Sequence, residues 1–282
     1  MARSNVLDPD ASPLDHYGCE LRRYRETAGL TLKELGARAS YTGSLIGQVE
    51  TAKKVPTRQF SQRMDDVLKT DGALERLVGL VLRSQLPAWF QEAALREARA
   101  AEIYVFQAQL VHGLLQTEEY ARAVLGAVDQ DGLEGKVAAR LDRQRVLAKD
   151  VPPVLWVVLG EAVLYQEIGG RAVMRRQLAH LLNFGGNPWV NLQVLPFVAG
   201  AHAGLQGSFT LYRFESDPAL VSFEGYGMQH VTPNPVEVRG LGLRYAHLQA
   251  AALSLQDSAE LIQRVMEERY GDHTRAARSP VA

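Results

Sequence analysis

Between Tyr17 and Ser84 no stretch alternates like a strand; five short helical patterns follow one another, with turn signals between them. Helices this short are marginal alone in water, so they read as one all-α bundle that buries its apolar stripes together. The first pattern runs from about Gly18 to Ala28, with Leu21 and Tyr24 inward and Gly29 as its stop. The second opens on Thr31-Leu32-Lys33-Glu34. That is a capping box: the threonine hydroxyl accepts from the Glu34 N–H, and the glutamate reaches back to the threonine N–H. Its stripe is Leu32, Leu35 and Ala39, and the turn Ser40-Tyr41-Thr42 leads into a third helix, Gly43 to about Thr51. A fourth follows Pro56 with Phe60, Met64, Val67 and Leu68; a fifth spans Ala73 to Arg83 with Leu74, Leu77, Val78 and Val81.

The third helix is the most informative. Leu45, Ile46 and Val49 face inward at helical spacing, while Ser44, Gly47, Gln48 and Thr51 fall on the opposite face at i, i+3, i+4 and i+7. A solvated helix usually turns Glu and Lys outward; this face is small, uncharged and hydrogen-bonding. It suits close approach to base edges in a major groove, where Gln can pair with adenine and Ser or Thr can serve several bases. Thr42, Gly43, Ser44, Gly47, Gln48 and Thr51 are therefore the candidate base contacts. Lys53, Lys54 and Arg58 just beyond, with Arg22 and Arg23 on the first helix, are the candidate phosphate contacts.

Charge is divided accordingly. The chain carries 31 basic and 32 acidic residues, a formal net charge of −1. Between Gly18 and Arg63 there are nine basic and four acidic residues, a local +5, which leaves −6 for the remainder. A basic head on an acidic body implies different partners for the two parts.

Pro87 marks a boundary, beyond which helix and strand mix. Apolar runs at Val154–Leu159, Val190–Leu195, Ser208–Phe214 and Ala219–Phe223 read as strands, punctuated by Gly and Pro. Helical patterns lie at Glu118–Val128, Leu133–Lys149, Val173–Phe184, Val236–Leu253 and Ser258–Tyr270. The expected organisation is a flexible arm at 1–14, the helical DNA-binding bundle at 15–84, an α+β partner- or ligand-binding domain at 87–271 and a disordered tail at 272–282.

Several classes are excluded. The single cysteine, Cys19, makes no internal disulfide and builds no cysteine zinc site. The longest apolar stretch, Val151 to Gly160, is far too short to cross a bilayer, and the first residues lack the apolar core of a signal peptide. A cytoplasmic protein working at the nucleoid is expected, with no membrane partner, cofactor or metal. Gly-x-Ser-x-Gly, His-Glu-x-x-His, P-loop and Gly-x-Gly-x-x-Gly motifs are missing from the chain. No catalytic residue is therefore assigned. Glu161, just after a strand, reads as a helix N-terminal carboxylate, and His202, in a Gly-rich loop, as a hydrogen-bond bridge. The basic helix with Lys136, Arg140, Arg143, Arg145 and Lys149 reads as a solvated face, and Trp89, Phe90, Tyr104, Phe106 and Trp156 as core.

Two resemblances cover nearly the whole chain, from about Gly18 to Tyr270. Leu21 to Pro56 resembles the Xre/lambda-repressor-like helix-turn-helix family in Leu21-Arg22-x-x-Arg25, Gly29-Leu30-Thr31, Glu34-Leu35, Ala39, Ser44-x-Ile46, Val49-Glu50 and Lys54-x-Pro56-Thr57. It departs in having Ala39-Ser40 where members often have Gly. The run from Leu110 to Arg122 is similar to the hallmark of a domain of unknown function fused to such heads in actinobacterial, antitoxin-like regulators of the WhiJ type. Arg140-x-x-Arg143-Gln144, Gly160 to Leu164, Gln177-Leu178, Gln193 to Pro196 and His202 to Phe209 match as well, with His112 where Pro is usual. The resemblance implies binding to a double-stranded DNA operator and to a small partner protein encoded nearby, and no established catalysis. A homodimer is expected, because one such head buries little surface on DNA. Two other readings stay open: a small-molecule-responsive regulator with a pocket in the second domain, and a DNA-directed enzyme using Glu161 and His202.

Overall fold

Each helix of the head begins where a side chain takes over orphaned backbone N–H groups. The computed structural model describes residues 7–85, 88–225 and 228–271. Helix α1 (Pro13–Thr27) starts earlier than Gly18 because Ser12 Oγ accepts from the Asp15 N–H at 3.1 Å and Pro13 takes the first helical position. In α2 (Leu32–Ala39) both arms of the capping box form, Glu34 N–H to Thr31 Oγ1 at 3.2 Å and Thr31 N–H to Glu34 Oε2 at 2.8 Å. Those backbone and hydroxyl donors at Thr31 hold the Glu34 carboxyl below its ordinary range. Thr42 caps α3 (Gly43–Glu50) and Thr57 caps α4 (Arg58–Leu68). Helix α5 (Ala73–Ser84) lacks a local side-chain cap; Asp65 of α4 instead accepts the Leu74 N–H at 2.9 Å and the Glu75 N–H at 2.8 Å.

The departure at Ala39-Ser40 has a structural answer. Ser40 ends α2 in the left-handed region, φ 63°, which glycine adopts at no steric cost. The turn therefore forms with a strained serine.

By contacts the chain divides into two compact units, residues 1–91 with 129–142 and residues 92–128 with 143–282. In the first, Tyr17, Leu21, Leu35, Ile46, Met64, Leu74, Val78 and Val81 are fully buried in one core. Each aliphatic member contributes about 1.5–3 kcal/mol of transfer free energy. The Tyr17 hydroxyl lies 2.8 Å from Ser61 Oγ, and burial pushes its phenol well above the usual range.

After α6 (Ala88–Arg99), the second unit is built on β1 (Glu102–Gln107), followed by α7 (Glu118–Val128). Helix α8 (Leu133–Arg143) lies in the first unit up to Asp142. Then come β2 (Val154–Gly160), α9 (Ala162–Tyr165), α10 (Arg171–Leu182) and β3 (Val190–Leu195). The chain ends with β4 (Phe209–Arg213), β5 (Leu220–Gly225), β6 (Met228–Thr232), α11 (Pro235–Ala251) and α12 (Leu255–Tyr270). The sheet order is β3-β2-β1-β4-β5-β6, with the first three parallel and the others joined antiparallel.

Period-two alternation assigns its faces. Ile103, Val105, Leu155, Val157 and Leu159 pack with Met174 and Leu178 of α10 and Ile262 and Val265 of α12. Phe106, Val158, Leu195, Phe209 and Val221 pack with Leu241, Tyr245 and Leu248 of α11. Three layers result, a mixed sheet with helices on both faces, within the α+β class that the pattern implied.

All four expected strands form, and β1, β6 and α6 are additions. The long pattern at 133–149 splits into α8 and a 3₁₀ turn, Gln144–Ala148, in which Gln144 reaches the carbonyls of Gly113 at 3.0 Å and Gln116 at 2.7 Å. The solvated basic face expected there does not form as such. Arg140 is buried, and Arg143 makes a bidentate pair with buried Glu97 at 2.7 Å for both contacts. Phe106 is core as expected, with Tyr104 and Trp156 partly buried beside it. Pro87, residues 1–6 of the arm, residues 272–282 of the tail and the side chains of Trp89 and Phe90 lie outside the described residues.

Asp65→Ala is expected to cost about 2 kcal/mol in urea unfolding of the full chain, because it orphans two N–H groups at the start of α5. Alkaline titration supplies a second check. Below about pH 10 Tyr17 is neutral folded and unfolded; above it the unfolded chain ionises first, so stability falls as pH rises. Tyr17→Phe should flatten that alkaline loss.

Candidate nucleic-acid interface

Helix α3 turns Ile46 and Val49 into the core and leaves Ser44 and Gln48 exposed, with the capping residue Thr42 exposed at its start. Leu45, expected inward, is half-buried at the rim. Gly43 and Gly47 turn toward α2: a Cβ at Gly43 would lie 3.0 Å from the Leu32 carbonyl oxygen, and one at Gly47 3.3 Å from Leu32 Cδ1. Their smallness thus serves close approach of the two helices. Thr51 donates its hydroxyl to the Gly47 carbonyl at 2.8 Å, closing the end of α3. Of the six candidate base contacts, Thr42, Ser44 and Gln48 are the ones that form an exposed polar face.

The phosphate candidates separate as well. Lys53 is exposed and Lys54 half-buried on the loop that follows α3. That loop starts in a turn with Ala52 at φ 55° and the Lys53 N–H on the Gln48 carbonyl at 2.9 Å. Arg22 Nε lies 3.6 Å from Glu50, and Arg23 is bidentate to Glu20 at 2.9 and 2.6 Å while lying over the Tyr24 ring. Arg58 is turned inward, with Nη2 on Asp142 at 3.2 Å, Nε on the same carboxylate and Nη1 on the Glu75 carbonyl at 3.4 Å. It was expected to meet phosphate; the structure commits its donors to protein acceptors.

Sequence reasoning took Glu50 as a negative charge and as part of the Val49-Glu50 match, with no structural role; in the structure it anchors the end of α3. It is the last residue of α3, 2% exposed, and accepts Arg25 Nε at 2.6 Å and Nη2 at 2.9 Å. Arg25 Nη1 also donates to the Leu30 carbonyl at 2.9 Å. One guanidinium therefore ties α1, the turn before α2 and the end of α3. The signal was available: Glu50 sits four residues after Ile46, on the inward stripe.

In the second unit Glu161 Oε2 accepts the Phe197 N–H at 2.7 Å, and His202 Nδ1 accepts the Gly204 N–H at 3.1 Å. Both thus hold loops at the carboxyl end of the parallel strands. Among the described residues no group of three His, Cys, Asp or Glu could hold a metal ion, and no helix is long and apolar enough to cross a membrane. A surface cleft of about 650 Å³ is lined by Arg171, Arg175, Arg176, Met266 and Tyr270.

Glu50→Ala should destabilise the head by about 3 kcal/mol, because the largely buried Arg25 keeps only the exposed carboxylate of Glu26, at 3.3 Å, as an ionic partner. Arg25→Met with Glu50→Leu should recover part of the loss. Chemical unfolding of the two variants beside the parent checks both.

Two family models match. A helix-turn-helix domain covers residues 16–78, the capped helices just described, and marks the chain as a DNA-binding regulator. A family described as a domain of unknown function (DUF5753) covers residues 90–264. No curated protein and no solved structure matches the chain. With well over half of its length matched by that second model, the chain belongs to the DUF5753 family and carries a helix-turn-helix domain ahead of it.

Proposed function

We propose that the protein is a sequence-specific transcriptional regulator of the Xre type that reads a double-stranded operator with α3 and answers to a small partner protein through its second unit. One observation carries this: an exposed, uncharged, hydrogen-bonding face of Thr42, Ser44 and Gln48, backed by buried Ile46, Val49 and Glu50 and followed at once by Lys53 and Lys54. Base edges ask for the first and phosphates for the second. The antitoxin-like, WhiJ-type character, the encoded neighbour and the cytoplasmic, nucleoid setting belong to the same reading, which rests for them on the motifs quoted from the sequence. The protein acts as a homodimer on half-sites about 34 Å apart, or a multiple of that spacing. The same reading assigns the chain no catalytic role, in keeping with Glu161 and His202 each accepting a loop N–H. The arginine-lined cleft supports a second reading, in which an anionic small molecule is the effector; a metabolite co-purifying with the chain would favour it.

Reading and anchoring are separable. On an operator selected from random-sequence DNA, Gln48→Ala should cost about 1–3 kcal/mol and relax preference at one position. Lys54→Ala should weaken operator and random DNA alike and flatten the salt slope by about one unit. Equal, sequence-independent losses for both variants would show that α3 does not read bases.

A further inference from the structure

Helix α8 belongs to the head by contact although it lies far along the chain. Ala139 is 3% exposed within the head's core, with Ala138 beside it. A Cβ at Gly135 would stand 3.0 Å from Gln85 Oε1 and 3.1 Å from Val55 Cγ2, so the backbone of α8 approaches the end of α5 and the loop after α3 at glycine distance. Asp142 takes the Nε and Nη2 of Arg58, at the first position of α4, where that same loop ends. Both members of the pair are largely buried, 25% and 16% exposed. Gly79 leaves the space that the guanidinium needs, since a Cβ there would come 3.1 Å from Arg58 Nη2. The loop Thr51–Thr57 lies between α3 and α4, so its position depends on what braces it.

We infer that Gly135 and Asp142 are positioning residues for the loop that carries Lys53 and Lys54, and that DNA affinity is set partly from α8. The inference rests on the DNA-binding reading and adds a regulation to it. A loop held in place before binding loses less freedom on the duplex. The chain leaves the second unit after Val128 and rejoins it at Arg143. An event in the second unit that displaces residues 129–142 would therefore release the loop and weaken phosphate anchoring, without touching Gln48.

The test uses the full chain with Asp142→Asn, which keeps the shape and removes the charge, Gly135→Val, which wedges α8 from Val55, and the exchange of Arg58→Glu with Asp142→Arg. Amide hydrogen exchange over residues 52–58 is measured without DNA, and affinity for selected operator and for random DNA is measured across salt. The two single variants should exchange faster in this loop and bind both DNAs roughly 2- to 30-fold more weakly, with base preference and salt slope kept. The charge exchange should move both readouts back toward the parent. Parent-like exchange and affinity in both single variants would overturn the proposal. So would tighter binding and a salt slope steeper by about one in Asp142→Asn, which would make Arg58 a phosphate ligand withheld by Asp142. If the parent binds no DNA, the DNA-binding reading fails by itself, and the hydrogen-exchange comparison still decides whether α8 braces the loop.

Discussion

The carboxylate of Glu50 lies at the last residue of α3, almost wholly out of water, and two donors of Arg25 meet it at 2.6 and 2.9 Å. A charge buried without such a partner costs several kcal/mol, so the pair is a constraint more than a surplus of stability. Its geometry decides where α3 ends relative to α1, and through the Leu30 carbonyl where the chain turns into α2. Gly36, Gly43 and Gly47 then let α2 and α3 close on each other; a Cβ at Gly36 would stand 2.6 Å from the Tyr41 carbonyl oxygen. With both contacts fixed, the outer face of α3 has one orientation. The exposed polar triad follows from the buried ion pair behind it.

The same economy of acceptors governs the basic residues of the head. Arg25 and Arg58 are consumed by Glu50 and Asp142, and Arg63 donates to the Ala39 and Arg38 carbonyls at 3.3 Å each, closing the end of α2. A local charge of +5 still attracts a polyanion at a distance. On the proposed reading close contact falls to fewer side chains, among them Lys53 and Lys54 on the loop that follows α3.

In the second unit the constraint is a sheet whose parallel half is apolar on both faces and must be covered twice. Helices α10 and α12 cover one face and α11 the other. The outer edge of β3 is closed by the α11–α12 connection and the first turn of α12, where Leu253 N–H meets the Val194 carbonyl and Val194 N–H meets Ser258 Oγ, each at 2.9 Å. Gln193 adds a bond to the Leu253 carbonyl at 2.7 Å. The other edge, β6, is short and ends before Pro233, a residue that cannot extend a ladder.

Local signals were enough for the helices of the head: the capping box at Thr31, the turn Ser40-Tyr41-Thr42, Pro56 ahead of the fourth helix, and an apolar stripe that put Gln48 outside and Ile46 inside. They were enough also for the four strands that read as apolar runs. β6 escaped because Met228–Thr232 is short and polar and becomes a strand only by pairing with β5, Phe223 opposite His230. β1 was legible in principle, since Glu102–Gln107 alternates Ile and Val with Tyr and Phe, but it lies close behind a helical stretch. What no periodicity carries is the identity of a distant partner. Whether an arginine meets phosphate or Asp142, 84 positions away, and whether Glu50 is solvated or the anchor of a helix, depends on which surfaces the chain brings together. Helix periodicity is set within a few residues, whereas an ion pair is set by the whole fold, and that is why tertiary structure alone assigned α8 to the head.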